Sequence, residues 1–232
     1  MARRVTVKRM GSINASVELK RISDVDSVKL AITYTAKETL FVARKTSDRL
    51  VAHLKATGHV TEEVTPRRIL FSSFSNAERV KFLLRLTVHS SSRLLKFLDV
   101  VKLGVSPDPT SGALPESLSW SEERVSDLRC KGRTLHETAF VEDDAAHPFI
   151  MLHAVEASFE FSARGATGDC RAVFSFPRFE SHGDRNSELV VKVQDIRLTS
   201  GNVRSRALET LLLEELQDLI VQEFTSHSRD VT

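Results

Sequence analysis

The chain has 232 residues, 41% apolar and 28% charged, the balance of a globular protein long enough to bury a core without disulfide staples. With 9 Gly and 6 Pro it is neither collagen-like nor low-complexity, and no apolar run reaches the ~18 residues of a membrane-spanning helix. The formal charge of +2 hides an uneven distribution: residues 1–103 carry 20 Lys and Arg against 9 Asp and Glu, and residues 104–232 carry 13 against 22.

The first seventeen residues contain Arg3, Arg4, Lys8 and Arg9 and no acid. That composition suits a mitochondrial transit segment or a basic first strand, and the near-alternation from Val5 to Met10 predicts the strand. Val17, Leu19 and Ile22 suggest a second. Val28, Leu30, Ile32 and Tyr34 fall on every second position, which predicts a half-buried strand. Thr35–Glu38 reads as a turn and Leu40–Val42 as a returning strand. Thr46–Asp48 offers an N-cap for a helix through Leu50, Val51 and Leu54, stopped by Gly58. Pro66 opens a strand from Arg68 to Phe74, and Ser75–Glu78 reads as a turn. From Val80 to His89, apolar Val80, Phe82, Leu84, Leu86 and Val88 alternate with other residues, which predicts a long strand. Ser90–Ser92 then caps a helix over Leu94–Leu103, with Leu94, Leu95, Phe97, Leu98 and Val101 at helical spacing.

Residues 104–121, with Pro107, Pro109, Pro115 and Gly112, have linker composition and divide the chain into a basic unit (1–103) and an acidic unit (122–232). Trp120 to Leu128 suggests a short helix. Beyond it, Val155–Ala163 and Cys170–Phe176 are alternating strands joined by a hairpin loop at Gly165–Asp169. Pro177 places the second strand at an edge or ends it. Leu189, Val191 and Val193 start a third strand, whose phase shifts near Gln194–Asp195 as at a bulge. A helix over Val203–Phe224 follows, with Leu208, Leu212, Leu216 and Ile220 as its apolar stripe, Leu211, Leu213 and Leu219 widening it, and Glu209, Glu214, Glu215 and Asp218 on the wet side. The expected fold is α+β: two antiparallel-sheet units, each closed by an amphipathic C-terminal helix, in an arrangement that suggests a pseudo-duplication.

Phosphate-binding, dinucleotide and serine-nucleophile signatures are absent. His136-Glu137 lacks the second histidine four residues on that a zinc-protease helix requires, and there is no C-x-x-C. Glu142, Asp143, Asp144 and His147, with His136 and His153, form a carboxylate and imidazole cluster that reads as a solvated acidic loop. Ser16-Val17-Glu18-Leu19-Lys20 has Ser where a paired metal-binding acid would stand. Cys170 lies on the apolar phase of its strand and reads as a small buried residue. No metal or cofactor is expected.

The chemistry that remains is charge. Arg3, Arg4, Lys8, Arg9, Lys20, Arg21, Arg44, Lys45, Arg67, Arg68, Lys81 and Arg85 form the candidate basic surface, with Lys81 and Arg85 expected on the wet face of a strand. The expected function is that of a non-catalytic interaction or scaffold subunit, not an enzyme, docking an acidic protein partner. The alternatives are a sequence-tolerant RNA or single-stranded DNA binder and a carrier of an apolar ligand. The Val203–Phe224 helix offers a route to a homo-oligomer. The expected location is intracellular, in the cytoplasm or nucleus, with mitochondria as a further option.

Overall fold

The computed structural model describes residues 3–8, 14–22, 27–34, 37–63, 65–112, 115, 118, 127–203 and 205–230. It is an α+β chain of two compact units, residues 1–67 and 68–232.

In the first unit, β1 (Arg3–Lys8), β2 (Asn14–Ile22) and β3 (Ser27–Tyr34) form an antiparallel meander in the order β1-β2-β3. Val17 on β2 pairs with Val5 and Ile32. Helix α1 (Lys37–Ala56) packs on β2 and β3. Its Ala43 is buried with Val17, and Leu30, Ile32, Tyr34 and Leu50 close around them. The helix therefore absorbs Leu40–Val42, expected as a strand. Three apolar residues carry too little periodicity to separate the two, and Ala43, Ser47 and Leu50 form the inward stripe of one helix. Gly58 ends the helix as expected: its φ of +70° is left-handed, and the Thr57, Gly58 and His59 N–H groups donate back to the carbonyls of His53, Lys55 and Leu54.

The second unit is a five-stranded antiparallel sheet of order β5-β4-β6-β7-β8, built from β4 (Leu95–Pro107), β5 (Leu128–Lys131), β6 (Ile150–Ala163), β7 (Ala166–Ser175) and β8 (Val190–Ser200). One face is apolar, with Val155, Ala157, Phe159 and Phe161 of β6 beside Cys170, Ala172 and Phe174 of β7, all buried. Two helices cover it: α2 (Asn76–Arg85) against β6, and α5 (Ser205–Asp230) against β8. The stripe read from the sequence is the buried one, since Leu208, Leu212 and Leu216 are wholly shielded. The chain's own sheet takes up that stripe. Short helices α3 (Ala139–Glu142) and α4 (Pro177–His182) lie in the connections.

Two elements differ from expectation. Val80–His89, read as a strand, lies largely in α2. Ser75 is its N-cap: the Ser75 hydroxyl accepts from the Glu78 N–H, and the Glu78 carboxylate accepts from the Ser75 N–H at 2.7 Å. The alternation concealed a helical stripe, because Leu83 fills an odd position and Val80, Leu83, Leu86 and Thr87 are all buried. Leu94–Leu103, read as a helix, lies in β4. Its pairing with β6 shifts register at Phe97/Asp99, Val100/Lys102 and Gly104/Val105. Each bulge flips the apolar phase, so the spacing imitates three- and four-residue steps. β4 also runs through the expected boundary at residues 103 and 104.

Smaller differences have local causes. Arg68–Phe74 is no strand but a single bridge, Leu70 to Glu188, followed by a short 3-10 turn over Phe71–Ser73. The β6–β7 hairpin turns on Arg164 and Gly165, both with positive φ, and Gly168 lies in β7, where a Cβ would strike the Arg197 carbonyl. β7 lies between β6 and β8 and ends before Pro177, which opens α4. The expected bulge in β8 is present: Asp195 has φ +52° where pairing slips between Asp169 and Arg171. Most of the helix expected from Trp120 to Leu128 falls outside the described residues. The two sheets differ in strand number and order.

The outer face of the sheet carries an ionic ladder. Glu156, 5% exposed, lies between the Lys102 ammonium and Arg171 (3.2 Å), and Arg171 also reaches Asp195 at 3.2 Å. Leu212→Ala is expected to lower the free energy of unfolding of this unit by about 2–5 kcal/mol, whereas Leu198→Ala, at an exposed position, should change it by less than about 0.5 kcal/mol. Urea denaturation of both variants checks this.

Candidate functional site

The described candidate cations are distributed over both units. Lys45 is exposed and Arg44 half-buried on α1; Arg67 and Arg68 are exposed where the units divide. Arg3, Arg4 and Lys8 on β1, and Lys20 and Arg21 on β2, are described in their backbone, and Arg9 lies outside the described residues. Arg68 pairs with Glu188 at 3.4 Å. Lys81 and Arg85 are exposed, but on α2 and not on a strand. One turn apart, they line a cleft of about 370 Å³ with Glu142, Asp144, His136 and His147. These two candidates therefore share a cleft with carboxylates of the acidic loop.

The carboxylates of that loop are solvated as expected, with Glu142 and Asp144 exposed, but its histidine is not. His147 is buried, and its Nε2 donates to the Val141 carbonyl at 2.7 Å while Nδ1 lies 3.3 Å from Asp144. His153 is buried elsewhere, its Nε2 donating to Asp127 at 3.1 Å. Among the described residues no group of three His, Cys, Asp or Glu side chains is placed to hold a metal ion. Cys170 is buried as expected, and burial pushes its thiol up to about 12, so it stays protonated at neutral pH.

Helix α1 has a different outer face. Phe41 is 63% exposed and Val42 42% exposed, although a large apolar side chain gains by leaving water. The Lys45 ammonium lies 4.7 Å from the Phe41 ring centroid, a cation–π contact. Arg49, one turn further, is exposed on the same side. Phe41, Lys45 and Arg49 thus form one stripe at four-residue spacing, aromatic at one end and cationic along its length.

The second feature was not legible in the sequence. A cleft of about 540 Å³ opens at the N-terminus of α2, lined by Phe71, Ser72, Phe74, Ser75, Asn76, Ala77, Arg79, Asp108, Thr110, Ser111, Pro148 and Arg185. Arg79 is only 2% exposed. Its guanidinium carbon lies 3.4 Å from the centroid of the Phe71 ring, which stacks at 3.7 Å on Phe179. Both terminal nitrogens of Arg79 donate to Asn76 Oδ1, at 3.2 and 2.9 Å, and its buried Nε has no partner among the described residues. Asn76 in turn donates to Asp108 (2.7 Å) and to the Pro148 carbonyl (2.8 Å), which fixes the amide's orientation.

Burial, then the charge of Arg185, pulls the Arg79 pKa down to about 9, against the opposing pull of Asp108. The guanidinium is thus cationic at neutral pH at a desolvation cost. Burial acts to raise the Asp108 carboxyl, but donors from Thr110 and Asn76 and the charge of Arg185 outweigh it and hold it below its ordinary value. The signal that could have located this cleft is the Ser75-x-x-Glu78 box. Reading it as a cap would have placed Asn76 and Arg79 one turn apart on a helix.

No family model, curated protein or solved structure matches this chain.

Burial lowers the His153 pKa, against the pull of Asp127 and Glu180. The folded state therefore binds its proton more weakly than the unfolded chain, so the stability contributed by neutral His153 is present above about pH 6.5 and is lost as the pH falls toward the folded value. Between about pH 7 and about pH 5, the wild-type chain is expected to lose more stability than His153→Gln, as read by urea denaturation across that range.

Proposed function

We propose that this protein is a non-catalytic interaction subunit that docks an acidic protein partner on the outer face of α1. The observation that carries the reading is the exposed Phe41 held beside Lys45 and Arg49. An aromatic anchor flanked by cations is the usual composition of a protein-binding patch, where the ring supplies buried area and the charges supply steering and partner choice. Residues 1–67 contain 13 Lys and Arg against 7 Asp and Glu, so the patch belongs to a unit whose own charge favours an acidic surface.

Within the expected basic surface this reading selects α1. Arg68 already has Glu188 as a partner, and Lys81 and Arg85 share a cleft with Glu142 and Asp144. Lys45 and Arg49 are exposed on α1 beside the exposed Phe41, with Asp48 the exposed acid described on that helix. Among the described residues no helix is long and apolar enough to cross a membrane, so the reading invokes no membrane span.

An acidic polyglutamate peptide titrated into the chain is expected to bind with an affinity that falls as salt rises. The double variant Lys45→Glu/Arg49→Glu should weaken it more than about tenfold, and Phe41→Ala by a smaller factor. Unchanged binding in the double variant would remove the docking role from α1. Tighter binding of single-stranded RNA than of the peptide would move the reading to nucleic acid.

A further inference from the structure

We propose that the cleft at the N-terminus of α2 is a binding site for the phosphate group of a small phosphomonoester, gripped by the guanidinium groups of Arg79 and Arg185. The inference does not rest on the docking role of α1: the cleft lies within residues 68–232, and its ligand is a small molecule.

Arg79 is the first reason. A guanidinium offers five N–H donors, and a buried one ordinarily meets a carboxylate or several carbonyls. Here, among the described residues, Asn76 Oδ1 is the one acceptor, and Nε meets none. An unmatched buried donor costs free energy, and more when it is charged. Yet the group is held firmly, with Phe71 under its plane and Asn76 locked by Asp108 and Pro148. A rigid guanidinium with donors to spare is prepared for an oxyanion whose paired oxygens match its fork.

The surroundings define the ligand. Arg185 brings a second guanidinium to the same cleft, on a loop tied down by the Ser72 N–H donating to the Arg185 carbonyl at 3.0 Å. Asp108 offsets only one of the two charges. One of its oxygens accepts from the Thr110 N–H and hydroxyl, and the other from Asn76, so both are engaged before they could reach Arg79. Two cations against one carboxylate leave the cleft net positive, and the tetrahedral oxygens of a phosphate can meet both guanidinium groups at once. Asn76 and Ala77 open α2, where first-turn N–H groups lack intrahelical acceptors and the helix dipole favours negative charge. Phe71, Phe74 and Pro148 supply apolar wall for the organic part of the ester, in a volume typical of small-molecule sites.

The test is isothermal titration of the full chain with phenyl phosphate, and with benzoate as the carboxylate counterpart. Saturable binding of phenyl phosphate, about tenfold or more tighter than benzoate, is expected. Arg185→Ser changes an exposed loop side chain that the core does not need, and it should weaken phenyl phosphate about tenfold. Arg79→Gln should abolish binding while circular dichroism reports a folded chain; if that variant unfolds, the Arg185→Ser comparison decides alone. No saturable binding at millimolar ligand, or equal affinity in Arg185→Ser, would overturn the site. Benzoate binding as tightly as phenyl phosphate would overturn the phosphate assignment.

Discussion

Keeping water off one face of the β5-β4-β6-β7-β8 sheet is the constraint on which the second unit is built. Phe159, Phe161 and Phe174 stand on that face at full burial, with α2 packed on β6 and α5 on β8. The two helices come from opposite ends of the unit and meet over it. Their packing joins the start of the unit to its end, while β4 adapts by bulging three times along its pairing with β6. On the other face, Glu156 holds Lys102 and Arg171 across three strands, so even the water-facing side is tied across the sheet.

Helix α2 carries a second burden. It seals the apolar face with Val80, Phe82 and Leu83, yet on the same turns it buries Arg79. A charge so placed does not help the fold by itself: desolvation opposes it, and a well-packed apolar side chain would commonly serve stability at least as well. The polar chain from Arg79 through Asn76 to Asp108 and Thr110 keeps the guanidinium oriented without satisfying it. That combination of a fixed position and incomplete hydrogen bonding separates this arginine from the exposed cations elsewhere on the chain.

The charge asymmetry divides differently once the strands are placed. The basic half of the sequence contains the whole of the first unit and the opening segment, α2 and most of β4 of the second. Some of its cations therefore join partners within the second unit, as Arg68 does with Glu188 and Lys102 with Glu156. On α1, Lys45 and Arg49 accompany an exposed aromatic.

The sequence alone determined the α+β class, the strands Val17–Ile22, Val28–Tyr34, Val155–Ala163 and Cys170–Phe176, the bulge near Asp195 and the inward stripe of the last helix. Each rests on local periodicity or turn chemistry, which neighbouring residues settle among themselves. Only the tertiary structure decided that Val80 lies on a helix and Leu95–Pro107 on a strand. In the first case a capping box competed with an equally good alternation. In the second, bulges imposed by pairing with a strand some fifty residues away scrambled the phase. The α2 cleft was hidden for the same reason. It joins Arg79, Asp108 and Arg185, which no local pattern relates, and they meet only because the sheet brings β4 and the loop before β8 to one end of α2.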